Sequence, residues 1–308
     1  MSKSGRLMVV ALLAIAVLVA PGAFADGVKP IANLESKFPR LSSGPLSNAV
    51  PAKLPAGVLL MSGGTKITGA EVEKEIALAP PSVKSQLTKY RFVLLELMAI
   101  RKFLAIEANA WAAKNTVSGA GDQLVQSYLK SVASKATITD QDAAEFYAGN
   151  LDMFKGRTLE QARQDIKGYL LGQEQGRVIR SHVVAISRRH SIRISDTWAN
   201  RQYAEWTKNP VEQARRSGIP TMVEFGSDGC KPCEMMAPII DEVRTKFAGK
   251  LNVVFVHVGQ QPVLGVHYDT SVIPVQTFYD KLGNESYRHE GFLDKPSVLK
   301  RIADLGVE

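Results

Sequence analysis

The sequence predicts a chain in two parts, a mainly α-helical region followed by a small α/β domain with a central mixed sheet. Three observations predict it. Apolar residues recur at helical spacing over long stretches between residues 82 and 188. After residue 211 the pattern changes to strand, helix, strand, antiparallel hairpin and helix. The chain has only 2 cysteines in 308 residues, Cys230 and Cys233, and they fall where the first of those strands gives way to a helix.

Lys3 and Arg6 precede an apolar run, Leu7 to Ala20, which Pro21 and Gly22 break before Ala23-Phe24-Ala25 and Asp26. A basic start, an apolar run and small residues at a cleavage point are the pattern of a secretory signal peptide over 1–25. The run falls short of the ~20 residues that span a bilayer. The expectation is a periplasmic or secreted protein, with an uncleaved membrane anchor as the alternative. No cysteine lies beside the cleavage point, so a lipid anchor is not expected.

Residues 26–57 hold Pro30, Pro39, Pro45, Pro51 and Pro55 and lack periodicity, which reads as a linker. Val58 to Ile67 reads as strand, turn and strand around Gly63-Gly64. Thr68 to Glu71 has the form of a capping box and opens a short helix that ends before Pro80-Pro81. One long helix is expected from Ser82 to Lys114, then helices at 121–134, 139–149 and 158–188 and a short strand at His190 to Ser195. The helical domain is thus 58–197, a linker helix covers 198–211, and the α/β domain is 212–308.

In that last part, Pro220 to Phe225 is an apolar strand interrupted by Glu224, and Gly226 to Gly229 is a loop. Cys230 opens a helix containing Met236, Ile240 and Val243, with Pro238 inside it. Leu251 to Val258 and Gln276 to Tyr279 are further strands, Ser286 to His289 continues the sheet, and Ser297 to Leu305 is the terminal helix.

The formal charge is +8, with the excess before residue 212: Asp26 to Val211 carries +8 and Glu212 onward −2. The basic part lacks the interleaved aromatic and basic residues of a nucleic-acid module, so a solvated helical surface is expected and no nucleic acid partner. Two residues between cysteines let one sulfur sit at a helix N-terminus and the other one turn further in, where unpaired N–H groups favour a thiolate. The same spacing is half of a zinc site, but a structural site needs four ligands and no second pair exists. Neither metal nor cofactor is expected. His257 and His267 have no partner motif and read as structural.

Two resemblances follow from these residues. Ile67-Thr68, Glu71-Val72, the long helix ending in Glu107-Ala108, and Asp140 to Asn150 with Phe146-Tyr147 resemble the helical chaperone domain of SurA-type periplasmic folding factors, over about 58–195. No prolyl-isomerase domain accompanies them, so no isomerase activity is implied. Val223-Glu224-Phe225, Cys230-Lys231-Pro232-Cys233, Ala237-Pro238-Ile239 with Asp241-Glu242, Ile273-Pro274 and Gly291 resemble thioredoxin, over about 212–306.

The second resemblance implies a thioredoxin fold and thiol–disulfide exchange. Cys230 is then the exposed nucleophile and Cys233 the deeper resolving thiol of a redox-active disulfide. Lys231 adds charge beside the thiolate, with a solvated lysine as the alternative, and Pro232 stiffens the first turn. Glu224 stands where the family has a buried acid that helps deprotonate the resolving cysteine. Pro274 stands where the family has a cis-proline facing the cysteines, and Ile273 would offer its backbone to an extended substrate. Three positions depart from the pattern: Gly229 replaces a Trp, Phe255 a Lys beside the acid, and Val275 a Thr. These change the docking surface and the working pH of Glu224. A Lys-Pro pair between the cysteines implies a potential nearer thioredoxin, about −270 mV, than DsbA, about −120 mV.

The leading expectation is an exported thiol–disulfide oxidoreductase whose helical domain holds client polypeptides. The alternatives are a periplasmic chaperone that uses the fold for docking, and an electron relay to one partner such as a membrane reductase. Helical modules of this type exchange elements between chains, which allows a homodimer.

Overall fold

The structure, a computed structural model, describes residues 32–270 and 272–308, so the signal-peptide expectation lies outside the described residues. Among those residues no helix is long and apolar enough to cross a membrane.

The expected linker at 26–57 is corrected over its described part. It carries α1 (Leu34–Lys37), capped by Asn33, and β1 (Val50–Ala52), and it buries Leu34, Phe38, Leu41 and Leu46. The prolines prevent a long helix, but these four apolar anchors supply the burial that fixes an irregular segment. The segment is also tied by a carboxylate. Buried Glu96 accepts from Ser42 Oγ, from Ser43 N–H at 3.0 Å and Oγ at 2.7 Å, and from Leu46 N–H at 3.1 Å. Four donors are what a buried carboxylate requires.

β2 (Val58–Ser62) and β3 (Thr65–Thr68) form the expected hairpin. Thr68 then caps α2 (Gly69–Leu78): Glu71 N–H donates to Thr68 Oγ1 at 3.2 Å, and Thr68 N–H donates to Glu71 Oε2 at 2.7 Å. The single helix expected from 82 to 114 is two, α3 (Pro81–Lys89) and α4 (Arg91–Asn115). The break is at Tyr90, whose φ of −112° and ψ of 51° leave the helical region. Its buried ring packs edge-on against Trp206 with centroids 5.6 Å apart. A tertiary contact overrides the local pattern here.

α5 (Gly121–Ala133), α6 (Asp140–Gly149) and α7 (Leu159–Arg189) follow as expected, with capping boxes at Thr139 and Thr158. The α6 end and the start of α7 share a small core of their own around Ala143, Ala162 and Ile166. β4 (Arg193–Ser195) inserts between β1 and β2, giving a sheet of order β1-β4-β2-β3. The strands before and after the helices are therefore joined.

The expected linker helix at 198–211 is corrected as well. It is α8 (Asp196–Trp206) and α9 (Pro210–Arg215), and Trp198, Trp206 and Val211 are buried. β5 (Thr221–Gly226), α10 (Lys231–Lys246), β6 (Asn252–His257), α11 (Pro262–His267), β7 (Val275–Tyr279), β8 (Glu285–Glu290) and α12 (Lys295–Asp304) complete the chain. The second sheet has order β6-β5-β7-β8, with β5 and β6 parallel and the other pairs antiparallel.

Alternation along these strands divides the apolar residues between two faces. Met222 and Phe278 pack with Met236, Ile240 and Val243 of α10 and with Val298 and Ile302 of α12. Val223, Phe225, Val275 and Tyr279 belong to a larger core that continues through Tyr268 and Trp206 into Phe92, Leu95 and Leu60. Residues 32–308 form one compact unit, so the boundary expected at 212 does not separate two cores. Buried Glu212 reinforces the join. It accepts from Arg40 Nε at 2.9 Å, Arg215 Nη1 at 3.0 Å and Tyr268 O–H at 3.2 Å. Arg215 also donates to Gly283 O at 2.9 and 2.7 Å. A Cβ on Gly283 would lie 2.5 Å from Arg215 O, and its φ is +78°, so the β7–β8 turn requires glycine.

Trp206 is the residue this arrangement leans on most. Trp206→Ala should cost about 3–5 kcal/mol, read from urea unfolding, and should lower the stability of both sheets in one transition.

Candidate active site

β5 ends at Gly226 in the sheet interior, and Ser227 to Gly229 carries the chain to the first turn of α10. Gly229 is exposed with φ +72°. Cys230 is the N-cap of α10 and Cys233 lies one turn in. The two form a disulfide with S–S 2.13 Å, and Cys233 N–H points at Cys230 Sγ at 3.3 Å. Cys233 is buried and Cys230 partly exposed. Lys231 and Pro232 stand exposed on the first turn.

Gly226 explains how Cys233 can lie so close to the strand. A Cβ there would meet the Phe255 ring at 3.1 Å and Cys233 Cβ at 3.5 Å. Across the sheet, Ile273-Pro274 is a cis peptide at the start of β7. Ile273 O lies 3.8 Å from Cys230 Sγ, and Pro274 O accepts from Gly291 N–H at 2.8 Å. The structure therefore gathers Cys230, Cys233, Gly229, Ile273 and Pro274 at one end of the sheet, with Gly291 beside them.

Glu224 lies two residues before Gly226 on the same strand face, below Cys233. It is 1% exposed. Register sets Gln276 opposite it on β7 and Phe255 opposite it on β6. Among the described residues its oxygens have no hydrogen-bond partner, nor does the Gln276 amide. Burial pushes the Glu224 carboxyl up to about 8, and the nearby Gln276 amide opposes only part of that. No cation among its strand neighbours pulls it back down.

Two further residues frame the site. His257 ends β6 in register with Gly226, which places it at the same sheet end as the cysteines. Gln260 N–H donates to His257 Nδ1 at 3.1 Å, and Nε2 meets Asp228 through its N–H at 3.3 Å and its Oδ2 at 3.0 Å. His257 thereby tethers the loop before Cys230. Its place at a parallel strand's C-terminal end was the available signal. Phe255 is 46% exposed and lines a groove of about 470 Å³ with Cys233, Ile240 and Arg244. His267 is buried at the opposite face beside Trp206, with centroids 4.0 Å apart.

A thioredoxin family model matches residues 203–304. Thioredoxin of Rickettsia felis is 30% identical over 91 residues, which is 30% of this chain and 86% of that protein. The chain belongs to the thioredoxin family. Thioredoxin of Rickettsia prowazekii is 31% identical over 86 residues, 28% of this chain and 81% of its own length. The M-type chloroplastic thioredoxin of Spinacia oleracea is 33% identical over 86 residues, 28% and 47% of the two chains. Membership implies thiol–disulfide oxidoreductase activity in general, and it rests on the part that carries the disulfide. The match begins at residue 203, inside α8, so the thioredoxin domain includes a helix that was expected to link.

The Glu224 environment has a measurable consequence. Its carboxyl ionises near 4.5 when unfolded and near 8 in the folded disulfide form. Between those values the folded chain keeps a proton that the unfolded chain has lost. Stability is full below the lower value and falls as pH rises through the upper one, by about 5 kcal/mol. Glu224→Gln should flatten that slope in urea unfolding of the oxidised protein.

Proposed function

We propose that this protein is an exported thiol–disulfide oxidoreductase that reduces or exchanges disulfides in client polypeptides. The observation that carries the reading is the disulfide at the α10 N-terminus, with Cys230 reachable and Cys233 buried beneath it.

In the dithiol form the Cys233 N–H and the helix N-terminus favour the Cys230 thiolate. That thiolate attacks one sulfur of a client disulfide. The client S–S bond breaks, a mixed disulfide forms and the first client thiolate leaves. The Glu224 carboxyl ionises as pH approaches about 8; in that form it takes the Cys233 proton, and the Cys233 thiolate attacks Cys230 Sγ. The mixed disulfide breaks, the second client thiolate leaves and the Cys230–Cys233 disulfide remains. The client has gained two electrons, and solvent supplies its protons. A separate dithiol donor must then reduce the protein again. Ile273 offers its backbone carbonyl beside Cys230, and Gly229, Lys231, Pro232 and Pro274 shape the docking surface.

The helical region is proposed to hold clients, in the manner of the SurA-type module it resembles. The pairing of β4 between β1 and β2 supports that reading, because it joins the first and last pieces of the module. Export to the periplasm or beyond rests on residues 1–25 of the sequence alone.

Cys230→Ser should abolish reduction of a small neutral disulfide such as hydroxyethyl disulfide. Cys233→Ala should trap client proteins as mixed disulfides, resolved by non-reducing gels and mass spectrometry. A wide set of trapped clients supports the proposal. One dominant partner would indicate a dedicated relay, and none would indicate a chaperone. Glu224→Gln should slow the resolving step by about 100-fold, the scale of one proton-transfer group. Equilibration with a glutathione buffer should return a potential nearer −270 than −120 mV, the approximate thioredoxin and DsbA values.

A further inference from the structure

The helical region and the thioredoxin sheet enclose a cleft of about 630 Å³. One wall is α6 and α7, through Phe146, Tyr169 and Leu170. The other is β8, the last strand of its sheet, which among the described residues has no strand partner on its outer edge. Gln173 of α7 reaches across to Glu290 of β8 at 3.5 Å, and Arg180 of α7 pairs with Asp269 at 2.9 Å.

The cleft lies beside the disulfide. Glu290 pairs in register with Val275, and Val275 is two residues from Ile273, whose carbonyl touches Cys230 Sγ. With ~3.3 Å per residue along a strand and ~4.8 Å between strands, the inner end of the cleft is about 10 Å from the reacting sulfur. A polypeptide attacked at Cys230 and continuing past Pro274 enters it after three or so residues.

The charge of the cleft is set by pairing. Arg177 holds Glu174, Arg180 holds Asp269 and Arg288 holds Glu285. That neutralises every arginine on its walls. Asp142, Glu145 and Glu290 also line it, and among the described residues none of them has a Lys or Arg within ion-pair distance. Burial holds the His289 imidazole below its ordinary value, so it adds no compensating charge near neutrality. Four carboxylates and three arginines line the cleft, and among the described residues three of the carboxylates, Asp142, Glu145 and Glu290, stand without an ion-pair partner beside an aromatic wall and an open strand edge. An extended backbone can pair with that edge, and cationic side chains match those three carboxylates.

We propose that this cleft binds the extended segment next to the client disulfide, and that it selects clients carrying lysine or arginine in that segment. The proposal rests on the disulfide-exchange reading given above and names its substrate class. The aromatic wall contacts the aliphatic stems of those side chains, and Asp142, Glu145 and Glu290 contact their charged ends.

The test uses the pre-reduced full chain in single-turnover reactions with two peptides that share one intramolecular disulfide. One peptide carries three lysines on one side of it, and the other carries three serines. Wild type should reduce the lysine peptide about tenfold faster at low ionic strength. The ratio should fall towards one at about 1 M salt, where the Debye length is ~3 Å. Glu145→Lys and the gentler Glu145→Gln should each lower the ratio at low salt. Because the readout is a ratio within one protein sample, a partly unfolded variant does not mimic it. Equal rates for the two peptides with wild type, or a ratio unmoved in both variants, would overturn the proposal and leave disulfide exchange standing. Failure to reduce either peptide and hydroxyethyl disulfide would overturn the exchange reading and this proposal with it.

Discussion

The structure depends on the burial of one face of the thioredoxin sheet against a core it does not own. Val223, Phe225, Val275 and Tyr279 pack through Tyr268 and Trp206 into the core of the helical region. The buried Glu212 carboxylate, with Arg40, Arg215 and Tyr268 converging on it, fixes the polar edge of that contact. A buried ion cluster of this kind adds little net stability but penalises any other arrangement, since a shifted partner leaves a charge unpaired.

The opposite face serves chemistry. α10 covers it and begins at Cys230, so backbone N–H groups at its first turn face the sulfur. Gly226 removes the side chain that would push Cys233 away from the strand. Glu224 sits below with its oxygens unpaired, and a carboxyl in that position keeps its proton until the pH is well above the ordinary range. An acid that is neutral at rest is poised to exchange a proton with a buried thiol. Phe255 in place of a cation is the feature that makes the position so apolar.

The site was legible in the sequence because its signals are local. The cysteine spacing, the single Glu in an apolar strand and the Thr68 to Glu71 cap each act within a few residues. The misreadings all concern burial between distant segments. Prolines at 30 to 55 announced irregular backbone, but not that Leu34, Phe38, Leu41 and Leu46 would find a core. The pattern from 82 to 114 stays helical through Tyr90, and only the ring of Trp206 explains why the backbone departs there. α11 is six residues long, too short for periodicity to show. His257 looked isolated because its partner, Asp228, lies on the loop of a neighbouring strand.

The small separate core under α6 and the start of α7 bears on how such a protein diversifies. Ala143, Ala162 and Ile166 pack with one another and not with either sheet. β4 closes the first sheet after the helices return. Residues 139–170 can therefore be rewritten, in length or in side-chain chemistry, without disturbing the disulfide or the fold that supports it. That tip lies outside the part of the chain that the thioredoxin match covers, residues 203–304, so its side chains are set apart from the redox chemistry.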